Sequence, residues 1–221
     1  MSRPVRSVDQ LVHVMRSSAR EVKFLFFWGH RPQRDGSIGA GCLSQWWPAP
    51  FVVDGAGFVT AEHYMMWRKA VLFGDDATAA KILTVSHPHE AKSLGRQVVG
   101  FDQRVWDEHR WDIVVAGNLA KFSQNPELRR FLVNTGERVL VEASPVDRIW
   151  GIGLAADHPN ATDPERWPGL NLLGFALMQV RAILRSSEHA AAKLDRQLIE
   201  RGINGQRKLS SGRQNHRRER R

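Results

Sequence analysis

The chain has 221 residues, 42% of them hydrophobic, which is enough for one sizeable core and predicts a single domain with tails. Its lone cysteine, Cys42, excludes an intramolecular disulfide; no run approaches the ~20 apolar residues of a membrane span, and no signal-like segment opens the chain, so a soluble, cytoplasmic protein is expected. The formal charge of +9 is uneven: residues 205–221 hold seven basic side chains against Glu219, a stretch of disordered composition, and the body lacks the strongly basic face of a nucleic-acid binder.

In chain order, Ser7 and Gln10 resemble a capping box that opens an N-terminal helix carrying Val8, Leu11, Val12 and Met15. Residues 21–28 are dense in β-formers and predict a strand buried on most of both sides. A glycine- and proline-bearing loop follows over 29–41. Trp46 and Trp47 precede prolines, and a short strand over 51–53 runs into an Asp54-Gly55 turn. Thr60 then caps a helix from 61 to about 73, with Glu62 in its first turn, where the helix dipole favours a carboxylate. Two turns later Lys69 returns to the face of Glu62, with Met65 and Met66 along it.

Further helices are predicted over 76 to about 85, 88 to 99, 102 to about 122 and 127 to 133. In the longest, Val105, Trp106, Trp111, Val114, Val115, Leu119 and Phe122 face inward, and Arg104, Asp107, Arg110 and Lys121 face outward. Residues 138–143 alternate as a strand and lead into a turn from Ser144 to Gly153. An irregular segment spans 155–169. Asn171 caps a last helix through 184 that is apolar nearly all round, hence central to the core. The sum is a helix-dominated α+β domain of about seven helices with a small β element, over residues 21–186, between an N-terminal extension (1–20) and a C-terminal helix end with a basic tail (187–221).

The nine histidines include no spaced set that completes a zinc site, no P-loop occurs, and Gly151-Ile152-Gly153 lacks the rest of a dinucleotide fingerprint. Cys42 has no evident base beside it in sequence. What remains is Glu62 at a helix start and Asp147 in a glycine-bearing turn, both with tryptophans nearby. Paired carboxylates suit glycosidic cleavage, where one stabilises an oxocarbenium-like ribose and positions water while another group protonates the leaving atom. Taken singly, a helix-cap carboxylate and a turn aspartate are the plainer readings.

Thr60-Ala61-Glu62-His63-Tyr64 with Lys69, the Val105-Trp106 segment, Asp147-Arg148-Ile149-Trp150-Gly151-Ile152-Gly153-Leu154, Asn171-Leu172-Leu173-Gly174 and the block from Leu43 to Gly55 together resemble, in order, the signature blocks of the NADAR family, also called YbiA-like proteins. The resemblance covers roughly residues 24–185. It implies a helix-rich, metal-independent N-glycosidase without cofactor, acting on phosphorylated ribosylamino-pyrimidine intermediates of riboflavin synthesis or on ADP-ribosylated guanine, including in DNA. It makes Glu62 and Asp147 catalytic and places Trp106, Lys69, His63, Tyr64, Trp150, Gly151, Gly153 and Asn171 at the substrate. Trp106 would stack on the base, Lys69 would pair with phosphate or a sugar hydroxyl, and the two glycines would offer backbone N–H groups to phosphate. Asn171 would bind ribose or cap the last helix. The 29–41 loop and the 155–169 segment would flank the mouth and decide substrate choice. A non-catalytic ADP-ribose or nucleotide sensor is the alternative, and a nucleic-acid module acting through the basic tail a third reading.

Overall fold

A computed structural model describes residues 5–18 and 21–190. The chain forms two compact units, residues 1–182 and residues 183–221. The basic tail at 205–221 lies outside the described residues, as does the rest of the C-terminal segment beyond 190.

Ser7 Oγ caps α1 (Val8–Ser17) by accepting the Gln10 N–H at 3.2 Å, while Gln10 Oε1 takes the N–H of Arg6 rather than that of Ser7. β1 (Phe24–Phe27) is shorter than expected and less buried. Only Phe27 is fully enclosed and Trp28 is 61% exposed, because the sheet has just two strands and β1 is an edge. Two facing residues, Asp54 and Gly55, adopt φ of 51° and 80° and close a hairpin of β2 (Phe51–Val53) and β3 (Ala56–Phe58), as a type I′ turn requires. β3 is missed by sequence because Ala56 and Gly57 are poor strand formers.

Thr60 Oγ1 caps α2 (Ala61–Leu72) by accepting the His63 N–H. Seven of the twelve residues of α2 are buried, since α3 (Asp76–Ile82), α4 (Pro88–Gly95) and α5 (Gln103–Gln124) all pack on it. α3 and α4 each stop a few residues before the predicted ends. In α4 the His87 ring and Glu90 form a reciprocal capping box. α6 (Pro126–Asn134) turns the chain back into β4 (Val139–Glu142), which pairs parallel to β1 with Phe24 opposite Val139 and Phe27 opposite Glu142.

The last helix, α7, covers residues 172–190. Within the first unit Leu173, Phe175, Ala176, Leu177, Met178 and Val180 are buried, as an all-round apolar helix should be. Gly174 lets α7 lie directly on β4: a Cβ there would run into the Leu140 carbonyl oxygen. Asn171 does not cap α7 through its side chain. With φ of 52°, it turns its amide onto β4, donating to the Leu140 carbonyl at 3.0 Å and accepting the Glu142 N–H at 3.0 Å. It thereby satisfies backbone groups that a third strand would otherwise take.

Lys121, expected to face solvent, is fully buried. Its ammonium donates to the carbonyls of Cys42 and Ser44 at 2.7 and 2.8 Å, at the end of a 3-10 turn (Ala40–Leu43). Burial pushes its pKa down to about 7 and that of the Cys42 thiol up to about 12, so Cys42 is not a thiolate nucleophile.

Tyr64 packs among Phe51, Phe58 and Trp67, and Gly117 brings the α5 backbone against its ring. A Cβ at position 117 would overlap the Tyr64 ring. Gly117→Ala should therefore destabilise the fold by about 1–3 kcal/mol from overpacking, despite a gain of up to ~1 kcal/mol in helix propensity. Urea unfolding measures the balance, and a stabilised variant would contradict the tight fit.

Candidate active site

Glu62, Met65, Met66 and Lys69, placed on one helical face by their spacing, all line a cavity of about 570 Å³. Its other walls come from Ser44, Gln45 and Trp46 before β2, from Lys92, Gly95 and Arg96 at the end of α4, from Trp106 on α5, and from Glu142 and residues 146–150 after β4. Helix α2 and the turn after β4 thus contribute opposite halves of one chemical surface.

Glu62 is 2% exposed and its Oε1 is buried without a hydrogen-bond partner in the protein. The N–H of Glu62 is held by the Gln45 carbonyl at 3.0 Å, which fixes the start of α2 against the 44–46 segment. Burial raises the Glu62 pKa to about 7, the Asp147 charge adds to that rise, and Lys92, a hydrogen bond from Trp46, and Arg96 oppose it.

Asp147 closes a tight turn: its Oδ1 accepts the N–H groups of Ile149 and Trp150, each at 2.8 Å, and its carbonyl accepts the Gly153 N–H at 3.0 Å. The carboxylate is thereby fixed in orientation at the cavity wall. Lys69 extends its ammonium to the Gly95 carbonyl at 2.8 Å and lies 3.9 Å from the Phe101 ring centroid and 5.8 Å from that of Trp106. Burial lowers its pKa. Trp46 carries Lys92 over its face and has the rings of His30, His87 and His89 around it.

Of the ten residues singled out in sequence, the structure brings five to the cavity: Glu62, Asp147, Trp106, Lys69 and Trp150. The other five lie outside its lining. His63 is buried with Nδ1 2.8 Å from Thr60 Oγ1, and Tyr64 belongs to the aromatic cluster. Gly151 is needed for packing, since a Cβ there would meet the Glu142 carbonyl at 2.8 Å. Gly153 spends its N–H on Asp147, and Asn171 is committed to β4. Neither loop expected at the mouth supplies a lining residue. The 29–41 loop approaches only through His30 against Trp46, and the 155–169 segment packs instead on α1, where Arg16 and Glu165 pair at 2.9 Å.

Sequence reasoning missed Glu142, Lys92 and Arg96. Glu142 was readable as an oddity, a carboxylate ending a strand whose other three residues are all buried. Its Oε2 is buried without a partner, and burial, then Asp147, then Glu62 raise its pKa to about 8 against the opposing charge of Lys92. Lys92 and Arg96 sit four apart on α4, an ordinary solvated spacing until α4 is docked on α2. Among the described residues no group of three or more His, Cys, Asp or Glu is placed to hold a metal ion, and no helix is long and apolar enough to cross a membrane.

Both glutamates are more easily protonated in the fold than in the unfolded chain. Their contribution to stability is complete below the ordinary glutamate pKa of 4.5 and is lost as pH rises towards about 7 for Glu62 and about 8 for Glu142. Glu62→Gln and Glu142→Gln abolish that loss. Relative to the unmodified protein, their melting temperatures should climb between about pH 5 and pH 8, by about 2–4 °C per kcal/mol recovered, then level off. A difference that does not vary with pH would mean that both carboxyls titrate normally.

The family model of the NADAR domain matches residues 26–185 of the chain. The chain is 45% identical over 164 residues to "N-glycosidase R617" of Acanthamoeba polyphaga mimivirus, covering 72% of this chain and 95% of the viral one. It is 34% identical over 144 residues to "Riboflavin biosynthesis protein PYRR, chloroplastic" of Zea mays, across 61% of this chain and 21% of the maize protein. Its fold is similar to the solved NMR structure of the Escherichia coli protein YbiA, with a TM-score of 0.58, 27% identity, and coverage of 77% of this chain and 89% of that one.

Proposed function

Because the chain belongs to the NADAR domain family, we propose that it is an N-glycosidase, a hydrolase that cleaves the bond between ribose C1 and a base nitrogen. The observation that carries this reading is the meeting of Glu62 and Asp147, from elements 85 residues apart in sequence, at one cavity that also holds Trp106. Breaking a C1–N bond builds positive charge on the ribose, so the useful groups are carboxylates that face C1 in a partly dry site, where their field is strong. A buried Glu62 oxygen with no protein partner suits that task.

The substrate side is argued from charge. Lys92 and Arg96 stand on one wall and Arg148 on another, so the cavity joins anionic catalytic groups to cations fit for phosphate oxygens. Trp106 offers a ring for a base. The substrates that fit this division are ADP-ribosylated guanine, as nucleoside or in DNA, and phosphorylated ribosylamino-pyrimidines of riboflavin synthesis. Two buried carboxyl oxygens without protein partners, Glu62 Oε1 and Glu142 Oε2, favour turnover over a sensor, for which burying such groups would bring only cost.

Mass spectrometry of the purified protein with both substrate classes tests the proposal through release of free base. Glu62→Gln and Asp147→Asn should each fold and lose about 100-fold or more in kcat; full activity in both would end the two-carboxylate account. Trp106→Ala should raise KM more than it lowers kcat, and an unchanged KM would make the ring a packing residue.

A further inference from the structure

We propose that Glu142 is the proton donor of the reaction, a third carboxyl that delivers its hydrogen to the departing base nitrogen. The inference rests on the N-glycosidase reading above and settles what two carboxylates leave open, namely which group protonates the leaving atom.

Glu142 is the last residue of β4, and its backbone is fixed on both sides. Its N–H goes to Asn171 Oδ1 at 3.0 Å and its carbonyl accepts the Ile152 N–H at 2.9 Å. The side chain lines the cavity, and its buried Oε2 has no hydrogen-bond partner in the protein. A purely structural carboxylate in such a place would be met by donors. Instead the charged groups acting on Glu142 are Asp147 from the following turn and Glu62 from α2, both of its own sign, with Lys92 of α4 the one opposing cation. Lys69 and Arg96 share the cavity wall.

A carboxyl between two like charges keeps its proton, and burial reinforces this by raising its pKa to about 8. A neutral carboxyl is a hydrogen-bond donor, and this one has no acceptor in the protein. Asp147 is its opposite: Oδ1 acts as an acceptor for two backbone N–H groups. One cavity therefore holds a carboxyl arranged to give a proton and a second carboxyl held in place by the backbone, which the scheme below uses for water.

The step balances. The C1–N bond breaks with its electron pair going to nitrogen, which takes the Glu142 proton. Water adds its oxygen to C1 and passes a proton to Asp147, and return of that proton from Asp147 to Glu142 restores the site. Glu62 faces the transient cationic ribose throughout.

The test compares a substrate with an uncharged base, the ADP-ribosylated guanosine or ribosylamino-pyrimidine that the protein cleaves, with 7-methylguanosine 5′-phosphate, whose cationic base leaves without needing a proton. Glu142→Gln should lower kcat on the uncharged base by about 100-fold or more, with KM little changed, yet lower it less than about threefold on the cationic base. Equal losses on the two would overturn the proposal, leaving Glu142 a positioning residue. If the unmodified protein cleaves neither, the N-glycosidase reading falls and takes this one with it. Should Glu142→Gln fail to fold, or the cationic base be refused, the pH profile of the unmodified protein decides. Its kcat on the uncharged base must fall on the alkaline side of about pH 8, and a profile flat through that range would overturn the assignment.

Discussion

A buried ammonium ties the Glu62-bearing half of α2 to the rest of the molecule. Lys121, deep on α5, holds the carbonyls of Cys42 and Ser44, and one turn earlier Asn118 Nδ2 donates to Gln45 Oε1 at 2.9 Å. The Gln45 carbonyl in turn receives the Glu62 N–H. An irregular segment is thus pinned at Cys42, Ser44 and Gln45, and the pinned segment seats the first turn of α2. Burying a lysine is unfavourable unless its donors are met, and here they are met by two backbone carbonyls. Losing the ammonium would leave the Cys42 carbonyl unsatisfied and loosen Trp46 and Glu62 together.

The opposite wall depends on a different device. β4 has one strand neighbour, β1, and the side chain of Asn171 completes its hydrogen bonding on the far side. The strand end is then rigid enough to aim Glu142, and the Asp147 turn that follows is locked by three backbone N–H groups. Acidic groups at the floor and cations on α4 produce a dipolar cavity. Such a surface suits a ligand that is cationic at one point and anionic at another.

Much of this was legible in the residues. Spacing alone put Glu62, Met65, Met66 and Lys69 on one face, the Asp54-Gly55 turn was recognisable, and the all-round apolar α7 announced its own burial. Most of the failures are side chains whose partners lie far away in sequence. Lys121 looks like a surface residue at its helical position because the carbonyls it serves are 77 and 79 residues earlier. Asn171 looks like a helix cap because its real partners are on β4. Gly151 and Gly153 look like phosphate binders, yet the first is needed for close packing and the second for closing the Asp147 turn. Lys92 and Arg96 carry no local mark of a site, since only the docking of α4 on α2 brings them to the cavity.

The parallel pairing of β1 with β4 also orders events in time. Those strands are more than a hundred residues apart in sequence, whereas α2 to α5 pack on one another through much more local contacts. Loop closure over such a span is entropically slow, and local helical contacts form first. During synthesis the helical wall bearing Glu62, Lys69 and Trp106 is therefore available early, and β1 waits unpaired until residue 142 has left the ribosome. The complete cavity is a late event of folding, since any nascent or truncated chain that stops short of β4 lacks the wall that carries Glu142 and Asp147, with an open strand edge as its exposed hazard.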